Sequence, residues 1–196
     1  LIGCAGESPE AMLASAKKYL AQNDAKAAVI QLKNALQQNP DLAEARFLLG
    51  KSLLDSGNPA GAAIELGKAG DLKYPPEQVA PAMARALLAQ GQAGKVIDTY
   101  AATALATPAA NADLKTSLAL AYAAQRDQDK ARAALDAALQ AQPDYVPALL
   151  VRSRELAGRQ DLDGAFKVLD QALAKAPDDV DALQWKGDLL LYGRKD

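Results

Sequence analysis

The side chains that most often carry out catalysis are scarce in this sequence. It has no histidine and one cysteine, Cys4, so neither a Ser-His nor a Cys-His pair can form. Paired acids at 161/163 and 178/179 stand at predicted helix starts, where carboxylates stabilise the positive end of the helix dipole. The glycines form neither a G-x-G-x-x-G sequence nor a P-loop. We therefore predict a protein that is not an enzyme and holds no metal or cofactor.

Cys4 is a candidate for covalent modification rather than catalysis. The residues Leu1-Ile2-Gly3-Cys4 resemble the lipobox of bacterial lipoproteins. The resemblance implies that a signal peptide is removed before Cys4, that the thiol carries lipid, and that residues 1–7 are a lipobox remnant and short tether. Ala5 follows the cysteine instead of aspartate, which implies a periplasm-facing protein anchored to the outer membrane. The alternative is an incidental thiol in a cytoplasmic protein without lipid.

Candidate side chains for non-covalent binding recur every 34 or 35 residues. One set, the cationic column, comprises Lys17, Lys51, Arg85, Leu120, Arg154 and Asp188. Two apolar sets run beside it. From the three sets we predict a peptide-binding groove suited to a segment bearing carboxylates, made of Lys17, Leu20, Phe47, Lys51, Leu54, Arg85, Leu88, Leu120, Leu150 and Arg154. The alternative is that the leucines complete packing between helices while the cations are merely solvated.

The same period governs the residues that would pack helices together. Small and large side chains alternate in the pairs Ala28/Leu32, Ala62/Leu66, Val96/Tyr100, Ala131/Leu135 and Ala165/Leu169. A spacing of four places both members of a pair on one helix face. Prolines follow at positions 40, 108, 143 and 177. A period of this length predicts stacked hairpins of two helices.

Turn and capping residues set the predicted helix boundaries. Ser8-Pro9 and Asn58-Pro59 are typical N-terminal caps, and Gly57 and Gly91 stand where first helices must turn. Pro81 and Gly94 predict a local irregularity near the middle of the chain. The predicted helices span residues 8–22, 25–38, 42–56, 59–71, 77–90, 93–106, 110–125, 128–141, 145–159, 162–175 and 179–192.

The sequence Leu49-Gly50-x2-Leu53, followed by the small-x3-large pair and proline, resembles the tetratricopeptide repeat (TPR). The resemblance covers residues 9–196 and implies an all-α, right-handed superhelical solenoid whose first helices line a concave binding surface. It implies an array over 8–196, with repeats at 9–42, 43–76, 77–111, 112–145 and 146–179 and the first helix of a sixth at 180–196. That last helix is apolar with no second helix to cover it, which predicts a longer native chain. The alternative is a natural C-terminal capping helix.

Longer segments are similar to one particular family. Residues 27–37, 45–50 and 86–91, together with the lipobox, look like the TPR-repeat lipoprotein of the PEP-CTERM/exosortase system of Gram-negative bacteria. This resemblance implies a scaffold in exopolysaccharide-associated protein sorting or envelope assembly. Two alternatives stay open: a pilus-assembly or polysaccharide-export TPR lipoprotein, and a cytoplasmic TPR adaptor without lipid. The class of ligand, protein or glycan, also stays open.

The overall charge limits the classes of partner. The chain has 22 basic and 24 acidic side chains, a formal net charge of −2, so no nucleic acid partner is expected. No run of 18 apolar residues occurs, and we therefore expect membrane contact only through a lipid on Cys4.

Overall fold

The computed structural model describes residues 7–192, so the predicted lipidation site, Cys4, lies outside the described residues. Within that range the chain forms eleven α-helices and no β-strand. The predicted all-α helical repeat fold is confirmed. The helices are α1 Pro9–Ala21, α2 Ala25–Gln38, α3 Ala43–Asp55, α4 Pro59–Asp71, α5 Pro76–Ala89, α6 Ala93–Tyr100, α7 Pro108–Ala124, α8 Gln128–Ala141, α9 Val146–Gly158, α10 Leu162–Lys175 and α11 Val180–Tyr192.

The helices belong to two compact units, Leu1–Gly91 and Gln92–Asp196. In the first unit, α1 pairs with α2 and α3 with α4, and α5 packs on α4. In the second, α6 packs on α7, the hairpins are α7–α8 and α9–α10, and α11 packs on α10. The division falls between the two helices of the predicted third repeat, 77–111.

The predicted small-x3-large pairs form much of the core. Leu32, Leu66 and Leu169 are fully buried, and each lies one helical turn beyond a fully buried alanine. Alanine lets the partner helix approach closely, and the leucine fills the space beside it. Ala131 and Tyr100 are the two members of the predicted pairs that are only half-buried.

The tight turns use left-handed backbone at equivalent positions. Gly57 and Gly91, both predicted turn residues, have φ of +80° and +71°. Asn23, Arg126 and Gln160 occupy the same position of other repeats and have φ of +59°, +63° and +65°. Side chains other than glycine are strained in this region. The geometry is therefore imposed by the packing of the two helices rather than by the residue type.

Helix capping follows the sequence at most hairpins. Ser8 accepts a hydrogen bond from the amide of Ala11 at 3.2 Å, and Asn58 accepts one from Gly61 at 3.0 Å. Asp24, Asp127 and Asp161 cap α2, α8 and α10 in the same way. Each cap satisfies an amide that the helix itself cannot pair.

The predicted helix over 93–106 is wrong at its end, because α6 stops at Tyr100. Lys115 of α7 donates a hydrogen bond to the carbonyl of Thr103 at 3.0 Å, and Asn111 accepts one from the amide of Leu105 at 3.3 Å. These tertiary bonds hold the segment in a non-helical conformation despite its alanines. Thr107 then caps α7, which begins two residues earlier than predicted. The irregularity expected here is therefore a shortened helix.

Pro81 does not interrupt its helix. It is buried within α5, which continues to Ala89. Proline removes one backbone donor and crowds the preceding turn, yet α5 continues for eight residues beyond it.

No helix between residues 7 and 192 is both long and apolar enough to cross a bilayer.

Candidate functional site

The predicted groove residues divide into exposed and buried sets. Lys17, Lys51, Arg85, Leu120 and Arg154 are exposed on the first helices of their repeats. Leu20, Leu54 and Leu88 are half-buried, and Leu54 packs against the core of the first unit. The structure therefore places the first five members of the cationic column at the surface, and these three leucines between surface and core.

Phe47 and Leu150 were predicted to line the groove, but the structure places them in the interior. Phe47 is 8% exposed and stacks on Tyr74 with ring centroids 4.9 Å apart. Leu150 is 5% exposed and belongs to the core cluster of the second unit. A ligand could reach little of either side chain, because neighbouring helices cover them. Their contribution is to packing.

A first cleft opens in the first unit between α1, α2 and α3. Its volume is about 350 Å³. Its lining combines apolar and polar side chains, namely Leu20, Asn23, Ala25, Leu48, Lys51, Ser52 and Asp55. The structure thus brings together two predicted groove residues, Leu20 and Lys51. Lys51 and Asp55 lie one turn apart on α3, so opposite charges stand side by side at this cleft.

A second cleft opens in the second unit between α7, α8 and α9. Its volume is about 280 Å³. Its floor is apolar and its rim is charged, with the lining residues Ala119, Leu120, Ala123, Gln128, Ala131, Arg132, Leu135, Val151, Arg154 and Glu155. Leu120 and Arg154, both predicted groove residues, meet here.

The two clefts occupy the same place in the repeat. Each lies among the first and second helices of one hairpin and the first helix of the next. Leu48 and Val151, Lys51 and Arg154, and Ser52 and Glu155 are equivalent positions, each pair 103 residues apart. The repeat therefore produces a cleft with a cation on its wall in both units.

The fold is also recognisable in comparisons with known proteins. The tetratricopeptide-repeat family model matches residues 13–75. The solved structure of TTC0263, a thermophilic TPR protein in Thermus thermophilus, superposes with a TM-score of 0.71 at 22% identity, covering 94% of this chain and 100% of that chain. The chain has the tetratricopeptide-repeat fold. A search of curated proteins finds no significant match.

Two further TPR structures have informative descriptions. YrrB, described as a TPR protein with an unusual peptide-binding site, is 16% identical with a TM-score of 0.57, covering 93% of this chain and 94% of that one. PilW, described as a widely conserved type IV pilus biogenesis factor, is 17% identical with a TM-score of 0.69, covering 86% and 78%. At these identities the likeness concerns the fold.

Charge at the second cleft is dominated by arginine. Glu155 accepts a hydrogen bond from Arg132 at 3.0 Å, and it lies 3.2 Å from Arg152 and 3.7 Å from Arg159. The hydrogen bond to Glu155 raises the pKa of Arg132, which stays charged at every physiological pH. Glu155 is therefore neutralised within the protein, and its charge is unavailable to repel an acidic ligand.

Arg154 differs from its arginine neighbours because no carboxylate pairs with it among residues 7–192. Its guanidinium carbon lies 5.6 Å from the ring centroid of Trp185 on α11. The Trp185 indole in turn donates a hydrogen bond to the buried hydroxyl of Ser153 at 2.8 Å. The cation–π contact positions the guanidinium of Arg154, which is one of the residues that line the second cleft.

Lys17 does not line either cleft. It pairs with Glu44 of α3 at 2.6 Å, and both side chains are well exposed. The hydrogen bond to Glu44 raises the pKa of Lys17. Lys17 is therefore already satisfied within the protein, which separates it from Lys51 and Arg154.

Sequence reasoning missed several residues of the second cleft. Arg132 and Glu155 are 23 positions apart on different helices, and no local pattern joins them. Val151 could have been found from the sequence, because it lies three residues before Arg154, and Leu48 lies at the same spacing before Lys51. The described part of the chain has no group of three or more cysteines or carboxylates that could hold a metal ion.

Proposed function

We propose that this TPR chain is a scaffold that binds a peptide segment of a partner protein at its inter-repeat clefts. The observation that carries the proposal is the recurrence of one arrangement in both units. A cation, Lys51 or Arg154, stands at the same register position in each cleft, and a leucine of the preceding first helix, Leu20 of α1 or Leu120 of α7, lines the same cleft. Proteins with this fold are generally non-enzymatic scaffolds, and the peptide-binding site ascribed to YrrB supports binding of the same class here.

The cellular setting is proposed from the sequence. The lipobox-like residues before the array and the similarity of residues 27–37, 45–50 and 86–91 support a lipid-anchored protein of the outer membrane that faces the periplasm. In this setting the scaffold serves exopolysaccharide-associated protein sorting or envelope assembly, as in the PEP-CTERM/exosortase system.

A second candidate function is pilus assembly. It is favoured by the likeness to PilW, whose TM-score of 0.69 is close to that of TTC0263. Both candidates use the same scaffold chemistry, so the identity of the captured partner distinguishes them.

The binding proposal is tested by charge reversal at the two clefts. The wild-type protein and the double variant Lys51→Glu/Arg154→Glu are immobilised and exposed to a detergent extract of the native envelope at two salt concentrations. We expect one or more proteins to be retained by the wild type, to be weakened by salt and to be lost with the variant. Mass spectrometry then identifies an exosortase-associated or a pilus protein.

A matched control separates local from global charge effects. Lys26→Glu/Lys167→Glu changes the net charge equally at exposed positions on second helices, and neither lysine lines a cleft. It should retain the partner as the wild type does. Equal retention by all three proteins would contradict binding at the clefts.

The lipid anchor is tested separately in the native host with the protein expressed from its complete gene. We expect wild-type protein to incorporate a fatty-acid label and to sediment with outer membranes, because multiple acyl chains anchor stably. Cys4→Ser should lose both the label and the sedimentation. An unlabelled wild-type protein in the cytosolic fraction would overturn the envelope proposal without affecting the binding proposal.

A further inference from the structure

We infer that the second cleft selects a bulky apolar side chain that stands next to a carboxylate in the partner's sequence. Ala123 and Arg154 are the residues that set this specificity. The inference rests on the proposed peptide-binding function and goes further by assigning a ligand chemistry to one cleft.

The space available suits a side chain. A volume of about 280 Å³ lies just below the roughly 300–1,000 Å³ of typical small-molecule sites. It is open to solvent at Leu120, which is 43% exposed. The floor and walls contributed by Leu135, Val151 and the alanines are apolar, so an apolar side chain would replace water that makes few hydrogen bonds there.

Charge selects the neighbouring group of the ligand. The ionisable residues that line the cleft are Arg132, Arg154 and Glu155, which leave one net positive charge. The charge of Glu155 is compensated by Arg132 and by the arginines at 152 and 159. Arg154 has no carboxylate partner in the described range, and its planar fork matches the geometry of a carboxylate. An acidic residue beside the apolar one would complete this pairing.

The first cleft lacks both properties. Asn23, Lys51, Ser52 and Asp55 give it a polar lining. Asp55 offsets the charge of Lys51 one turn away on the same helix. The two clefts are equivalent in position but differ in chemistry, so the second provides selectivity for this class of segment.

The chain provides its own reporter for the test. Trp185 is the single tryptophan of the sequence, and its ring lies 5.6 Å from the Arg154 guanidinium. A carboxylate that binds Arg154 changes the electrostatic field at the indole, and tryptophan emission then follows occupancy of the second cleft alone. Calorimetry on the same samples gives the affinity independently of fluorescence.

Three capped octapeptides serve as probes. The parent peptide has a central leucine with an aspartate on each side, and its other residues are glycine and serine. The serine peptide replaces the leucine by serine, and the asparagine peptide replaces both aspartates by asparagine. We expect saturable binding of the parent to the 196-residue chain and a loss of affinity of about tenfold or more for each altered peptide. Both losses should appear in fluorescence and in calorimetry.

Protein variants assign the two contacts to residues. Arg154→Gln should bind the parent peptide only as tightly as the wild-type protein binds the asparagine peptide. Arg154→Gln should bind the asparagine peptide no more weakly than this. Ala123→Leu should fill the cleft and weaken the parent by about tenfold or more, yet leave the serine peptide unaffected. Lys167→Gln, at an exposed position of α10 that does not line the second cleft, should leave the affinities for the parent and the serine peptide unchanged. Helical circular dichroism and thermal unfolding verify that each variant is folded.

Three results would overturn the inference. They are equal affinity for all three peptides, no binding of the parent up to millimolar concentration, and displacement of the parent by an oligogalacturonate that binds Ala123→Leu as tightly as the wild type. The last would indicate an acidic glycan as the ligand. If the envelope partner is still captured through Lys51 and Arg154 in any of these cases, the proposed function stands and only the assigned specificity fails.

Discussion

At the residue scale, the repeat imposes one backbone conformation on different residue types. The turn that joins paired helices needs positive φ, and the sequence supplies glycine at 57 and 91 but asparagine, arginine and glutamine elsewhere. The packing of the flanking helices fixes the turn, so the strain of a non-glycine residue is tolerated and stored in the folded state.

Exchanging residue types at these turns should alter stability in opposite directions. Arg126→Gly relieves left-handed strain and is expected to raise the free energy of unfolding by about 1 kcal/mol. Gly57→Ala introduces the same strain and should lower the free energy of unfolding by about 1 kcal/mol. A Cβ at this position meets no neighbour within 4 Å, so no steric clash adds to the strain. Urea denaturation followed by circular dichroism measures both, and equal midpoints for the three proteins would contradict this account.

At the element scale, hairpin spacing is set by one small residue per first helix. A Cβ built on Gly50 would lie 2.8 Å from Cγ of Leu66 and 3.1 Å from its backbone nitrogen, so α3 and α4 approach too closely for alanine. The equivalent positions are Ala16, Ala84, Ala119, Ser153 and Gly187. Ser153 uses its hydroxyl to donate a hydrogen bond to the carbonyl of Ala165 at 2.8 Å.

Gly50→Ala should therefore destabilise the protein although alanine is the better helix former. Overpacking costs about 1–3 kcal/mol, whereas the higher helix propensity of alanine relative to glycine stabilises the helix by about 1 kcal/mol. The expected net loss is roughly 1 kcal/mol in the free energy of unfolding, measured by urea denaturation. Gly187→Ala is the matched control, since a Cβ on this residue of α11 meets nothing within 4 Å and should stabilise.

Carboxylates that pair with cations give the whole molecule a dependence on pH. Burial alone would raise the pKa of Glu65, but hydrogen bonds from Arg46 and Lys68 lower it below the ordinary value of about 4.5. Lys130 lowers the pKa of Asp127, and Lys175 lowers that of Asp144. In each case the folded state binds protons less readily than the unfolded chain.

These paired carboxylates make the protein less stable at low pH. A carboxyl whose folded pKa is depressed stabilises the fold above its unfolded pKa and loses that contribution as pH falls through the folded value. The free energy of unfolding should be level between pH 7 and 5 and should fall below about pH 4. Urea denaturation at pH 7, 5 and 3.5 measures it.

The Glu65→Gln variant identifies one source of this dependence. Arg46 and Glu65 have side chains only 14% exposed, so the variant leaves Arg46 poorly compensated and is expected to be less stable at pH 7. Its deficit relative to the wild type should shrink at pH 3.5, because the unfolded wild-type chain takes up a proton at Glu65 more readily than the folded state does. A deficit that stays constant from pH 7 to 3.5 would exclude this ion pair as a contributor.

The sequence determined most of the fold because the signal is repeated. Small and large apolar side chains at a constant spacing, with caps and turn residues in the same register, specify paired helices wherever they occur. Ten of the predicted helices agree with the structure to within two residues at each end. The exception is the end of α6, where alanine-rich sequence favours helix but hydrogen bonds to Lys115 and Asn111 of α7 favour a non-helical chain.

The sequence also determined which positions of successive repeats are equivalent, and therefore that cations recur at one of them, because the 34- or 35-residue spacing can be read without the structure. Tertiary structure alone decided which of them remain available to a ligand. Lys17 is satisfied by Glu44 of another hairpin, whereas Arg154 has only the face of Trp185 within the described residues. Phe47 and Leu150 stand four residues before Lys51 and Arg154 and were predicted to line the same groove, yet they lie in the core. Pairing and burial depend on the side chains that neighbouring helices bring into contact, and a one-dimensional pattern does not contain that information.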